Sequence, residues 1–335
     1  MGPLLFLIYI NDLPLATSLF TLLFADDTSF LLSGKTLEEV IERLNIELKK
    51  VCDWFRANEM SLNPDKTKFM IFNKNEKSIK FNEINICLDF NNDNENFPNL
   101  KSKLEYINSN SQTPAIKFLG VFIDPELKFK YHISYVQNKI KTSLYAINCI
   151  KKFLPEESLK MLYNSFIHSH LTYCLPVWSC GLESSLTPLL KTQKKCIRII
   201  TNSNYNAHTA PLFKKLGILP LNELAISVKL NLMYDYQHDK LPTSFLGLWK
   251  KNHEIRSVNA RTLRNDNDFY IPTAKYKAIQ RFPLFHFQKL WNDYGNNVLL
   301  LSSKKMFKKK IKKMLLENVT THCTRLRCLE CNNTI

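Results

Sequence analysis

The sequence predicts an α/β chain in which short strands come early and helices fill the rest. Three observations carry this. Strand-like runs and turn residues crowd the first 125 positions, whereas from Tyr131 onward apolar residues recur every three or four positions. Hydrophobic residues make up 45% and charged residues 23% of the chain, enough for a buried core and too apolar for global disorder. Only 7 of the 335 residues are glycine, which argues against an architecture of many tight turns. At about 150 residues per domain, the length allows roughly two domains.

The elements follow in order. Residues 3–10 read as the tail of a buried helix. Thr21 to Ala25 reads as a short inner strand leading into Asp26-Asp27, with Ser29 to Leu32 as its return. Thr36 and Glu39 have capping-box spacing. Behind them Leu37, Val40, Ile41, Leu44, Leu48, Val51, Cys52 and Phe55 keep a helical rhythm, which predicts a helix over 37–57. Asn63-Pro64-Asp65 is turn chemistry, and Lys68 to Phe72 reads as a strand. Residues 89–99, rich in asparagine, read as an exposed loop or disordered insertion. Ile116 to Ile123 is an eight-residue strand-like run containing Gly120. Helices are then expected at 132–150, 156–172, 184–200, 221–237 and 303–317, while the periodicity over 250–300 is irregular, interrupted by Pro272 and Pro283.

Charge divides the chain. Residues 1–50 carry 4 basic and 7 acidic side chains, whereas residues 128–200 carry 11 basic and 3 acidic ones. The net charge of +16 points to a polyanionic partner or an acidic membrane surface. The apolar runs Leu4 to Ile10 and Leu19 to Ala25 are too short to span a membrane, and no basic region precedes the first. A nuclear or cytoplasmic location is expected, with no signal peptide or transmembrane segment. The nine cysteines are read as reduced core thiols for the first six. His322, Cys323, Cys328 and Cys331 are poorly spaced for zinc, which is not expected.

Phe24-Ala25-Asp26-Asp27 is the sharpest local feature. Two adjacent carboxylates after an apolar strand offer hard oxygen ligands to Mg²⁺, and a two-metal site for nucleotidyl transfer needs such ligands. Asp pairs also occur in ordinary turns, and four residues do not decide between the two. Lys128, Lys130, Lys139, Lys141, Lys151 and Lys152 alternate with Phe129, Tyr131, Tyr135 and Tyr145. This pattern suits nucleic acid, with cations on phosphates and rings on bases. It also suits a plain helical bundle with Tyr135 and Tyr145 in its core. Lys304 to Lys313 holds seven lysines and reads equally as a tether, a targeting patch or a solvated helix face.

Longer blocks give these features a context. Gly2-Pro3-Leu4-Leu5-Phe6 through Leu13-Pro14, Phe24-Ala25-Asp26-Asp27, Ser61 to Lys68 and Lys117-Phe118-Leu119-Gly120-Val121 stand in order. His132-Ile133, Tyr173-Cys174, Pro176-Val177-Trp178, Gln193 to Arg198, and Lys289 to Asn292 with Phe307-Lys308 follow. Together they resemble the reverse transcriptases of non-long-terminal-repeat, LINE- or jockey-like retrotransposons. The resemblance implies an incomplete polymerase palm over 1–125, an antiparallel sheet with packed helices. It further implies a helical, thumb-like region over 126–245 and a C-terminal region with a basic helix over 246–335.

It also implies roles. Asp26 and Asp27 would hold Mg²⁺ or Mn²⁺, and Lys66 would lie near the incoming triphosphate or support the active-site strand, the plain alternative being a solvated lysine on a turn. Lys117 and Gly120 would belong to the primer-grip hairpin, and Lys128, Lys130, Lys139 and Lys141 to a grip on nucleic acid. The partners would be an RNA template and a DNA primer; no specific protein partner is inferable. The family's fingers, first catalytic aspartate strand and Gln-Gly turn lie upstream of the block that begins at Gly2. The chain is therefore expected to be a truncated fragment, inactive alone. The alternatives are a noncatalytic nucleic-acid-binding remnant and a decayed transposon product without a cellular role.

Overall fold

The computed structural model describes residues 2–72, 84–89, 101–181, 183–255, 266–275, 279–294 and 303–319. Small, unclosed β-sheets come early and a largely α-helical region follows. The chain divides into two compact units, Met1–Ile116 and Lys117–Ile335. That division falls ahead of the expected boundary at 125. Most of the asparagine-rich stretch and the C-terminal cysteines lie outside the described residues.

The first unit is organised by one amphipathic helix. Helix α1 (Gly2–Ile10) leads to the antiparallel hairpin β1 (Phe20–Phe24) and β2 (Asp27–Leu31), and then to α2 (Leu37–Ala57). The Thr36 hydroxyl accepts from the Glu39 amide at 3.3 Å, which starts α2 where the sequence predicts. Val51 and Phe55 of α2 pack with Ile10, Leu13, Leu23 and Phe30. Leu48 and Cys52 pack with Leu19, Ile84, Ile86, Leu88 and Leu104. Asn45 fastens β4 (Cys87–Asp89) to α2 by donating to the Asn85 carbonyl at 3.0 Å and accepting from the Cys87 amide at 3.3 Å. Strand β4 pairs antiparallel with β5 (Lys101–Lys103), and β3 (Lys68–Phe69) pairs parallel with β6 (Glu105–Tyr106). The expected strand 68–72 is thus shorter.

One expectation fails here. Helix α1 exists, but it is not buried: Leu4, Leu5, Leu7, Ile8 and Tyr9 are exposed, and only Ile10 is fully covered. Its apolar composition predicted burial, yet only Phe6 and Ile10 meet the α2 cluster.

The second unit opens within β7 (Ile116–Phe118), which turns at Leu119-Gly120 into β8 (Val121–Ile123). The predicted eight-residue strand is therefore a hairpin. Positive φ angles at Leu119 (43°) and Gly120 (85°) reverse the chain. Helices α3 (Lys130–Ile150) and α4 (Glu156–Tyr163) follow, and α4 runs through a π turn (Asn164–His168) into α5 (Ser169–Thr172). Then come α6 (Leu175–Trp178), α7 (Glu183–Ile200), α8 (Thr209–Leu216) and α9 (Leu221–Gln237). Helices α10 (Asn252–Ile255), α11 (Pro283–Tyr294) and α12 (Lys304–Asn318) complete the unit. The core joins Ile133, Val136, Ile140 and Leu144 of α3 with Leu189, Cys196 and Ile197 of α7 and Leu230 of α9. Gln193 ties the bundle from inside. It donates to the Tyr163 hydroxyl (2.9 Å) and the Leu219 carbonyl (3.0 Å), and accepts from the Leu221 amide (2.9 Å).

The lysine-rich segment forms α12, whose Phe307, Ile311 and Leu315 are buried in this core. Phe307 lies against Tyr234 and Trp291, with ring centroids 4.5 and 5.9 Å away. Lys304 pairs with Asp235 and Lys313 with Glu317, while Lys305, Lys308 and Lys309 face outward. The solvated face of a docked helix describes this segment. Among the described residues no single helix is long and apolar enough to cross a membrane.

Candidate metal and nucleic-acid sites

Asp26 and Asp27 stand at the tip of the first hairpin. Phe24 pairs with Asp27, so Ala25 and Asp26 form a two-residue turn, with Ala25 at φ 51°. Both aspartates are exposed. The hairpin's inner face, with Leu23 and Phe30, meets the α2 cluster. Its outer face carries Phe20, Leu22, Phe24 and Leu31, with Phe20 65% and Phe24 63% exposed. This follows from strand alternation, since register places Phe20 opposite Leu31 and Phe24 opposite Asp27.

The hairpin is held to α2 by a residue that the sequence reading did not single out. Glu47 is buried and accepts from the Thr17 hydroxyl (2.8 Å), the Ser18 amide (2.7 Å) and Lys50 (2.6 Å). The Lys50 hydrogen bond, helped by Ser18 and Thr17, holds its carboxyl down at about 2. An acidic residue on the apolar stripe of α2 was the available signal.

Two adjacent, exposed carboxylates fit a hard divalent cation as part of its ligand set. Among the described residues, no group of three or more His, Cys, Asp or Glu is arranged to hold a metal ion. Lys66 is exposed on a separate turn, where the Asn63 side chain accepts from the Asp65 and Lys66 amides at 3.1 and 3.2 Å. Among the described residues no hydrogen bond or ion pair joins Lys66 to either aspartate.

In the second unit, Lys117 is exposed on β7 and Gly120 forms the turn. A Cβ on Gly120 would meet the Tyr173 ring at 3.2 Å, and the Tyr173 hydroxyl donates to the Leu119 carbonyl at 2.5 Å. On the returning strand, the Phe122 amide donates to His132 Nδ1 at 3.3 Å. Burial pushes the His132 imidazole down to about 4, which keeps that nitrogen an acceptor near neutral pH. His132 also lies edge-on to Trp178, with ring centroids 5.5 Å apart. His132 and Tyr173, far apart in sequence, thus brace one hairpin, and Trp178 supports both, its indole donating to the Tyr173 carbonyl at 2.8 Å.

The lysine pattern on α3 resolves into two stripes. Lys139 lies over the Tyr135 ring at 5.7 Å, and Tyr131 and Tyr135 flank Phe122. Lys141 lies about 200° round the helix from Lys139, on the side of Tyr145. Tyr135 and Tyr145 are exposed, so the bundle-core alternative fails for both. Phe129, by contrast, is buried and unavailable for stacking. Lys130 is exposed, while Lys128 pairs with Glu126 at 2.6 Å. Asp124 fixes the start of α3 by accepting from the Lys128 and Phe129 amides. Cys52, Cys180 and Cys196 are buried as expected, but Cys149 is exposed.

Residues 1–123 match a reverse-transcriptase domain. The matching family is described as reverse transcriptase (RNA-dependent DNA polymerase). The match ends at Ile123, the last residue of β8, and takes in both hairpins. The RNA-directed DNA polymerase from mobile element jockey of Drosophila melanogaster is 21% identical over 236 residues, covering 67% of this chain and 23% of that protein. The probable RNA-directed DNA polymerase from transposon X-element of the same fly is 18% identical over 229 residues, covering 65% and 23%. The jockey polymerase of Drosophila funebris is 22% identical over 220 residues, covering 62% and 22%. The chain spans less than a quarter of the length of these reverse-transcriptase relatives. No solved structure matches it.

Proposed function

We propose that the first unit is part of a reverse-transcriptase palm and that the second is a thumb-like grip on nucleic acid followed by a C-terminal region. The observation that carries this is the Asp26-Asp27 hairpin, braced by α2 inside the segment that matches the reverse-transcriptase family. Asp26 and Asp27 would hold Mg²⁺ or Mn²⁺, which when bound would activate an attacking hydroxyl and steady the leaving phosphate. The protein's own contribution is to fix the hairpin: Glu47 anchors its approach and the α2 stripe supports its inner face. Lys66 would approach the triphosphate. Lys117 and the Gly120 turn, held by His132 and Tyr173, would approach the primer backbone. The partners in this reading are an RNA template and a DNA primer.

Two aspartates make an incomplete set, so the 335-residue polypeptide by itself is proposed to be catalytically incompetent. Its residual activity is then nucleic-acid binding through Lys128, Lys130, Lys139 and Lys141. The exposure of Tyr135 and Tyr145 beside two of these lysines supports this second, noncatalytic reading.

Fluorescence anisotropy of the whole chain on unrelated RNA and DNA sequences tests the grip. A Lys128→Ala, Lys130→Ala, Lys139→Ala variant should weaken all of them by similar factors. It should also flatten the plot of log affinity against log salt by roughly 0.7 to 0.9 per lost phosphate contact. Truncating at 303 would strip Phe307, Ile311 and Leu315 from the core, so Lys305→Ala, Lys309→Ala provides the control. Loss of binding in the control alone would refute the grip.

A further inference from the structure

The C-terminal halves of α3 and α7 and the loop after α7 enclose a groove of about 420 Å³, within the size range of small-ligand sites. Lys141, Tyr145 and Lys151 line it from α3 and its C-cap, and Lys195, Arg198 and Tyr205 from α7 and the loop. Among the described residues no carboxylate lines it. Lysines gathered from two helices, Lys141 and Lys151 on one side and Lys195 on the other, suit an anion. The final carbonyls of α3 oppose an anion there, and Lys151 stands where it offsets them. Tyr145 is 73% and Tyr205 78% exposed, so each wall presents a ring to the groove and to solvent.

The Tyr205 loop is built rather than loose. The Ser203 amide donates to the Arg198 carbonyl and Arg198 Nε to the Ala207 carbonyl, both at 2.9 Å. The Thr201 and Ser203 hydroxyls lie 2.8 Å apart, and Asn202 takes φ 48° to make the bend.

We infer that this groove binds single-stranded nucleic acid, phosphates on the lysines and an unpaired base on the tyrosines. The inference rests on the nucleic-acid reading above and deepens it. A duplex hides its base faces in its own stack, so exposed rings reward only an unpaired strand. Lys139, on the opposite side of α3, meets phosphate of either form.

The test is anisotropy with a fluorescein-labelled oligo-dT strand and a blunt duplex of equal length, using the whole chain. Tyr145→Ala, Tyr205→Ala should weaken single-strand binding roughly tenfold and leave the duplex nearly unchanged. The matching Phe pair should restore it. Lys151→Ala, Lys195→Ala should flatten the single-strand salt plot by roughly 0.7 per lysine. Both tyrosines are exposed, so misfolding does not confound the result. Equal loss for strand and duplex, or no loss for the strand, overturns the groove even if the Lys128, Lys130, Lys139 result stands. Absence of any binding by the unmodified chain overturns both.

Discussion

Glu47 converts a local sequence fact into the position of a distant hairpin. Its carboxylate gathers the Thr17 hydroxyl and the Ser18 amide just ahead of β1, with Lys50 beside it. Because its folded pKa, about 2, lies below the ordinary carboxylate value, its stabilisation is complete above roughly pH 4.5 and is lost as pH falls toward 2. Glu47→Gln should therefore lower stability at neutral pH by about 2 kcal/mol, in line with charge-assisted hydrogen bonds. It should also remove part of the acid dependence below pH 4.5. Chemical denaturation across pH 2 to 7 measures both; equal curves for the two proteins would contradict the assignment. At this scale the sequence showed Asp26 and Asp27 plainly, since two carboxylates close an apolar strand. Glu47, Tyr205 and Lys195 were hidden, because their roles arise only when separate elements meet.

Helix α2 was legible to its ends because the cap and the apolar stripe agree. The hairpin was legible because turn chemistry interrupts two short apolar runs. Burial of α1 was misread for a physical reason: apolar composition states a need for cover, not its presence. The same applies to the outer face of the first hairpin, where Phe20, Leu22, Phe24 and Leu31 form an apolar patch. Such a patch should bind a hydrophobic dye. Leu22→Lys, Phe24→Lys should cut dye fluorescence severalfold while far-ultraviolet circular dichroism is kept, since neither side chain belongs to the α2 cluster. Unchanged fluorescence would mean that this face is covered in solution. On α3, the lysine–aromatic alternation was visible but its division into two stripes was not, because linear spacing conceals the angle between Lys139 and Lys141.

For the molecule as a whole, the acidic front and basic middle seen in the sequence correspond to two compact units with different chemistry. The carboxylates belong to the first, and the lysines and exposed tyrosines of α3 to the second. The resemblance seen in the sequence agrees with the family match over 1–123. Under the proposed function, Asp26 and Asp27 are two metal ligands of a larger set, and α3 provides a separate hold on nucleic acid. Preorganised ligands are what such chemistry needs, and under the proposed function two aspartates without a further shared ligand would lose several orders of magnitude in rate. Primer extension measures that claim directly, with oligo-dT on a poly-A template in Mg²⁺ or Mn²⁺ and Asp26→Ala as control. No product above background is expected from either protein; product from the unmodified chain that disappears with Asp26→Ala would show that the chain is a competent polymerase.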